Sequence, residues 1–163
     1  MGNQRFYVVR HAQVHKNKDL DYNHRPLSTI GWSQIRGLQK KTTDLDLSAI
    51  ICSPSIRTIT TGRAISCFLG VNMKVDQNLS EITESETWEE YLGRVKCSLA
   101  CIFPPANNSL WVTHGGFTKA MFLLLNVEST TPLVQLDRHK SYVLEGEIWS
   151  VEIVNNSIFV NRI

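Results

Sequence analysis

An excess of charge of either sign is missing from this chain: 17 Lys and Arg stand against 15 Asp and Glu, for a formal charge of +2. The charges are scattered, with no long block of one sign. That removes the electrostatic footprint of a nucleic-acid or membrane-surface binder. Long apolar runs are missing too. The longest, over residues 120–125, falls far short of the roughly 20 residues a membrane-spanning helix needs. Residues 1–5 lack the basic-then-apolar layout of a secretory signal. No internal repeat and no low-complexity segment is present.

Cysteine is sparse. Cys52, Cys67, Cys97 and Cys101 form no Cys-x-x-Cys pair and have no neighbouring His, which argues against a zinc site. A chain of 163 residues is one domain, 1–163, long enough to build a core without disulfide staples. The expectation is four reduced, mostly buried thiols and a cytoplasmic location.

What is present begins with Phe6-Tyr7-Val8-Val9, four apolar residues in a row that end abruptly in Arg10-His11-Ala12. Such a run reads as a strand buried on both faces. In open α/β sheets, ligands gather where strands end at their carboxyl edge. An Arg-His pair at one strand end is ordinary by itself, but other polar groups occupy similar places. A polar loop over 13–26 leads to a helix that starts near Ser28-Thr29 and carries Trp32, Ile35 and Leu38 at helical spacing. A short strand over 48–52 runs into Ser53-Pro54, read as an N-cap and first helical residue. The helix that follows carries Arg57 near its start and stops at Gly70. A brief strand over 73–75, a loop over 79–85 and a helix over 86–103 come next. Another strand, 110–113, ends in His114-Gly115-Gly116, which opens a helix over 117–125. Strands are expected over 141–144, 148–154 and 157–160, with Asn155-Asn156 as a hairpin turn. The alternation predicts a three-layer αβα sandwich with a mainly parallel central sheet and antiparallel pairing near the C-terminus. Arg10, His11, Arg57 and His114 at edges of one sheet would form a cationic pocket. Arg forks suit phosphoryl or carboxylate groups, and the helix start after His114 adds amide donors.

The chain resembles the histidine phosphatase superfamily, the phosphoglycerate-mutase-like enzymes. Five blocks carry the resemblance in order: Arg10-His11-Ala12-Gln13 with Asn17; Pro26-Leu27-Ser28-Thr29-Ile30-Gly31 with Gln34; Cys52-Ser53-Pro54 with Arg57 and Thr61; Asp76-Gln77-Asn78-Leu79-Ser80-Glu81; and Val112-Thr113-His114-Gly115-Gly116. Ala12 replaces the family's commoner Gly, Val14 replaces a hydroxyl residue, and Gly62 stands where Ala is usual.

The resemblance implies that His11 attacks phosphorus and becomes a phosphohistidine. It implies that Arg10, Arg57 and His114 neutralise the phosphoryl group, with Asn17 and the Gly115 amide as lesser donors, and that Glu81 is the general acid. Glu84 and Glu86 are neighbouring candidates for that last role. No metal and no cofactor is expected, because two Arg do what a divalent ion would otherwise do. His15, His24 and His139 are expected in exposed loops, and Trp88 and Tyr91 in packing. Family mutases insert a substantial cap after the Glu block, whereas only 82–85 intervene here. A minimal cap lets water reach the intermediate, so a phosphatase acting on a phosphorylated small molecule is expected. A protein phosphohistidine phosphatase, a mutase-type phosphotransferase and a non-catalytic phosphate-binding module are the alternatives. Neither nucleic acid nor membrane is an expected partner.

Overall fold

The computed structural model describes residues 4–16, 19–21, 24–103, 105–129 and 143–163. Its strands are β1 (Gln4–Arg10), β2 (Ala49–Cys52), β3 (Met73–Val75), β4 (Ser109–Thr113), β5 (Glu128–Ser129), β6 (Ile148–Val154) and β7 (Ser157–Arg162). Its helices are α1 (Thr29–Thr42), α2 (Ile56–Leu69), α3 (Trp88–Ile102) and α4 (Gly115–Leu124). The strands form one sheet in the order β3-β2-β4-β1-β6-β7-β5. β6 alone among them is reversed, pairing antiparallel with β1 and β7; the remaining pairings are parallel.

The apolar run of β1 explains the layering. Successive strand side chains point to opposite faces, and Phe6 through Val9 are all buried. Phe6 and Val8 enter a core with Trp111 of β4, Tyr91 and Val95 of α3, and Phe117 and Met121 of α4. Tyr7 and Val9 enter a second core with Leu38 of α1, Ile65 of α2, and Ile50 and Val112. Two cores, one on each face, make the three-layer αβα sandwich that the alternation predicted.

Local signals set the element ends. Ser28 Oγ accepts the Gly31 amide at 3.0 Å and starts α1. Thr87 and Glu90 form a reciprocal capping box on α3, an arrangement that satisfies two otherwise orphaned amides. Asn155 and Asn156 have φ of 49° and 67°, the left-handed pair that a two-residue hairpin turn requires.

Several expectations need correction. α2 begins at Ile56 with Ser55 as N-cap, not at Ser53-Pro54. The reason is that sheet bonding runs on past β2: the Ser53 amide donates to Val112 O at 3.0 Å. α4 begins at Gly115 itself. β5 carries no apolar pattern, and the sequence does not announce it. Of the strand expected over 141–144, Val143 and Leu144 lie outside any strand; Ser141 and Tyr142 lie outside the described residues. Only Cys52 is buried, while Cys67, Cys97 and Cys101 are exposed. Gly62, in turn, does more than weaken α2. A Cβ there would sit 2.1 Å from Cys52 Sγ, so the thiol occupies the space that the glycine leaves.

Candidate active site

The parallel neighbours β2, β4 and β1 deliver Ser53, His114 and His11 to one sheet edge. Backbone bonds hold the three ends in step: His11 N donates to Thr113 O at 3.0 Å, and Ser53 N to Val112 O at 3.0 Å. The chain beyond His11 is also fixed. Thr61 Oγ1 accepts the Ala12 amide at 3.1 Å, and Gln34 Oε1 accepts the Gln13 amide at 2.7 Å. Gln34 also donates to Glu145 O at 2.9 Å. These contacts explain the Thr61 and Gln34 positions of the motifs in physical terms, since both side chains hold the backbone of the histidine loop.

His11 is 1% exposed. Its Nδ1 lies 2.9 Å from Ala12 O. A carbonyl only accepts, so Nδ1 carries the proton and Nε2 holds a lone pair. That Nε2 is buried and has no hydrogen-bond partner. Its basicity is suppressed. Burial, with the charges of Arg57 and Arg10 adding to it, pulls the His11 pKa down to about 3, against the opposing Ala12 hydrogen bond.

His114 has the other tautomer. Arg57 Nη2 donates to its Nδ1 at 3.1 Å, since a guanidinium only donates. Its Nε2–H therefore donates to Ser53 Oγ, 2.7 Å away. Burial first, then Arg57, His11 and Arg10, hold His114 well below the usual histidine pKa. Arg57 itself is fully buried. The two histidine rings lie 5.5 Å apart at 66°.

Both imidazoles are buried neutral, so the unfolded chain binds more protons below pH ~6.5. Stability is therefore fully present above that pH and is lost as pH falls toward 3, at up to about 1.4 kcal/mol per pH unit for each group. The midpoint of thermal unfolding should fall between pH 6.5 and 5, and fall less after His114→Asn. A flat midpoint across that window in the unsubstituted protein would contradict the burial of neutral imidazoles.

Arg10 stands one residue back, at the end of β1. Its Nη1 donates to Val143 O at 2.8 Å, and its Nη2 lies 3.9 Å from Glu145 Oε1. Gly115 opens α4, and the amide one residue on, of Gly116, donates to Glu81 Oε2 at 3.2 Å. A Cβ on Gly116 would come within 2.2 Å of Glu81 Oε1. The second glycine of the His-Gly-Gly block thus makes room for the carboxylate.

Glu81 Oε1 accepts two further bonds, from Ile82 N at 3.0 Å and Tyr91 OH at 3.1 Å. Tyr91 is packed, as expected, and it also orients Glu81. Nothing in its spacing announces this second role. Glu86 is withdrawn from the candidate acids: Arg94 grips it at 2.6 and 2.9 Å and draws its pKa down to about 2. Arg94 also donates to Glu81 O at 2.9 Å, which ties the loop to α3.

In front of His114 lies a cleft of about 550 Å³, lined by residues that include Ser53, Ser55, Glu81, Ile82 and Glu84. His11 is not part of this lining; its ring lies buried 5.5 Å from that of His114. The structure thus brings His11, Arg57, His114 and Glu81 to one edge, with Arg10 at their flank. Ser53, assigned to a helix cap by the sequence, belongs with them. His15 and His24 are exposed. Asn17 and His139 lie outside the described residues. Among the described residues, no helix is long and apolar enough to cross a membrane.

The sequence model of the histidine phosphatase superfamily (branch 1) matches residues 6–91. This chain belongs to that superfamily. Solved structures share its fold at low sequence identity. Bacillus stearothermophilus YhfR is 18% identical, with a TM-score of 0.77 over 97% of this chain and 95% of that one. A candidate alpha-ribazole-5'-P phosphatase from Escherichia coli is 18% identical, with a TM-score of 0.77 over 98% and 95%. A mycobacterial glucosyl-3-phosphoglycerate phosphatase in complex with VO3 is 16% identical, with a TM-score of 0.70 over 98% and 97%. No curated protein sequence matches the chain.

Proposed function

We propose that this chain is a metal-independent phosphatase that hydrolyses a phosphomonoester through a phosphohistidine on His11. The observation that carries the reading is the buried His11 Nε2, a lone pair with no partner, set by the Ala12 carbonyl and kept unprotonated by burial and two Arg. In the first step Nε2 bonds to phosphorus and the bond to the ester oxygen breaks. Glu81, protonated, gives its proton to the departing alkoxide. In the second step water attacks phosphorus, Glu81 takes a proton from it, and the P–N bond breaks. Charge neutralisation does most of the work in phosphoryl transfer. Arg57 and Arg10 supply it, with the neutral His114 imidazole, Ser53, Asn17 and the Gly115 amide as hydrogen-bond donors.

Phosphatase is favoured over phosphotransferase by the short passage from Glu81 to α3, which starts at Trp88. Little chain is available there to shield the intermediate from water. The proposal includes a cytoplasmic setting and a phosphorylated small molecule, with no nucleic acid or membrane as partner.

A panel of phosphorylated metabolites and phosphopeptides, assayed with and without chelator, tests it. Turnover should be unchanged after dialysis against the chelator, because the guanidinium groups replace a divalent ion. Activity lost on dialysis and restored by magnesium would contradict the mechanism. A phosphorylated His peptide as the best substrate would replace the phosphomonoester with a protein phosphohistidine.

A further inference from the structure

The cleft changes polarity along its length. Its inner end presents a donor: Arg57 donates to His114 and His114 donates to Ser53 Oγ, so the Ser53 hydroxyl proton is left to give. The outer wall is the reverse. The Ile82 amide is consumed by Glu81 Oε1 at 3.0 Å, and the Thr83 amide by Glu86 Oε2 at 2.9 Å. Ser80 Oγ gives its proton to Gln77 O at 2.7 Å, and Thr83 Oγ1 gives its own to Glu86 Oε2 at 3.2 Å. The Ser80 oxygen keeps its lone pairs to offer, and the Thr83 oxygen, which accepts from Ser85 Oγ at 3.1 Å, keeps one. Arg94, on α3 behind this wall, is turned inward onto Glu86, Ser80 O and Glu81 O. Asp21, whose Oδ1 lies 3.3 Å from His24 Nδ1, and Glu84 complete the lining with carboxylates, and both are exposed.

A wall built of acceptors recognises donors and repels anions. We infer that the alcohol half of the substrate carries hydroxyl or ammonium donors and no second anionic group, with Glu84 as a specificity-determining residue. The inference rests on the phosphatase reading above. It separates sugar-like, polyol or amino-alcohol phosphates from phosphorylated acids and bisphosphates. A second anion bound within a few ångströms of Glu84 and Asp21 is disfavoured by about tenfold or more in a half-open cleft.

The test compares kcat/KM for glycerol phosphate, phosphoethanolamine, phosphoglycerate and a hexose bisphosphate, with nitrophenyl phosphate as the reference. Glycerol phosphate or phosphoethanolamine should exceed both second-anion esters by about tenfold. Which of the two leads names the donor, and an ammonium preference should weaken as salt is raised. Glu84→Lys, checked for an unchanged unfolding midpoint, should shift the ratio of phosphoglycerate to glycerol phosphate upward by about tenfold. Phosphoglycerate or the bisphosphate as the better substrate, with nitrophenyl phosphate still hydrolysed, overturns the inference and leaves the phosphatase reading standing. A ratio unmoved by Glu84→Lys overturns the role of that residue. No turnover of any ester, nitrophenyl phosphate included, removes the phosphatase reading and this inference with it.

Discussion

His11→Ala abolishes turnover of nitrophenyl phosphate while the protein remains folded. The expected loss is about 10⁴-fold or more, the scale seen when a nucleophile is deleted from a site whose members act as a unit. Nothing nearby can substitute. His114 is 5.5 Å away ring to ring, but its Nδ1 lone pair is engaged by Arg57 and its Nε2 carries the proton given to Ser53. The fold should tolerate the change. Truncation forfeits some buried contacts, yet it also removes an unsatisfied buried nitrogen, so the net cost should stay within about 2 kcal/mol. Rapid quenching with labelled substrate should trap phosphate on the unsubstituted protein and none on the variant. Retained turnover in a folded variant would sink the nucleophile assignment.

Glu81→Gln should cripple sugar phosphates and spare nitrophenyl phosphate. A sugar leaves as a strongly basic alkoxide and needs a proton, whereas nitrophenolate departs without one. General acid catalysis is typically worth about 10²–10⁴-fold, and its contribution grows with the basicity of the leaving group. The surroundings add a second effect. Three donors converge on the carboxylate, from Ile82, Tyr91 and Gly116. Gln can offer its oxygen to Ile82 and Tyr91 only by turning its amide toward the Gly116 amide, donor against donor. A stability loss of about 1–2 kcal/mol should follow, felt equally by both substrates. The ratio of the two rates is therefore the readout. Equal losses would make Glu81 a shaping residue. No loss on either would pass the role to Glu84 or to no carboxylate, because Glu86 is held ionised by Arg94.

The fold was legible because its signals are local and repeated. The Phe6–Val9 run could only be a strand buried on both faces, and Asn155-Asn156 could hardly be anything but a turn. The positions of His11, Arg57 and His114 were legible because motifs anchor them to element ends. What escaped was of longer range. Ser53-Pro54 has the composition of a helix start, but a hydrogen bond to the neighbouring strand keeps Ser53 in the sheet and delivers its hydroxyl to His114. The bond from Tyr91 to Glu81 joins a helix to a loop ten residues earlier, and no periodicity encodes it. The exposure of Cys97 and Cys101 was misjudged for a similar reason. A cysteine usually goes inside, but the buried face of α3 is already filled by Tyr91, Val95, Ser98 and Leu99.

The snug fit of Cys52 against Gly62 has a chemical corollary. Burial pushes the Cys52 thiol up to about 12, and only thiolates alkylate or oxidise readily. Three thiols of the chain meet solvent and one does not. The hidden one sits on β2 against Gly62 of α2, so reagents reach it when the packing of that helix on the sheet opens. The molecule thus carries its own chemical gauge of that opening, a latent nucleophile whose silence reports intact packing of α2 and whose labelling would time each parting of helix from sheet.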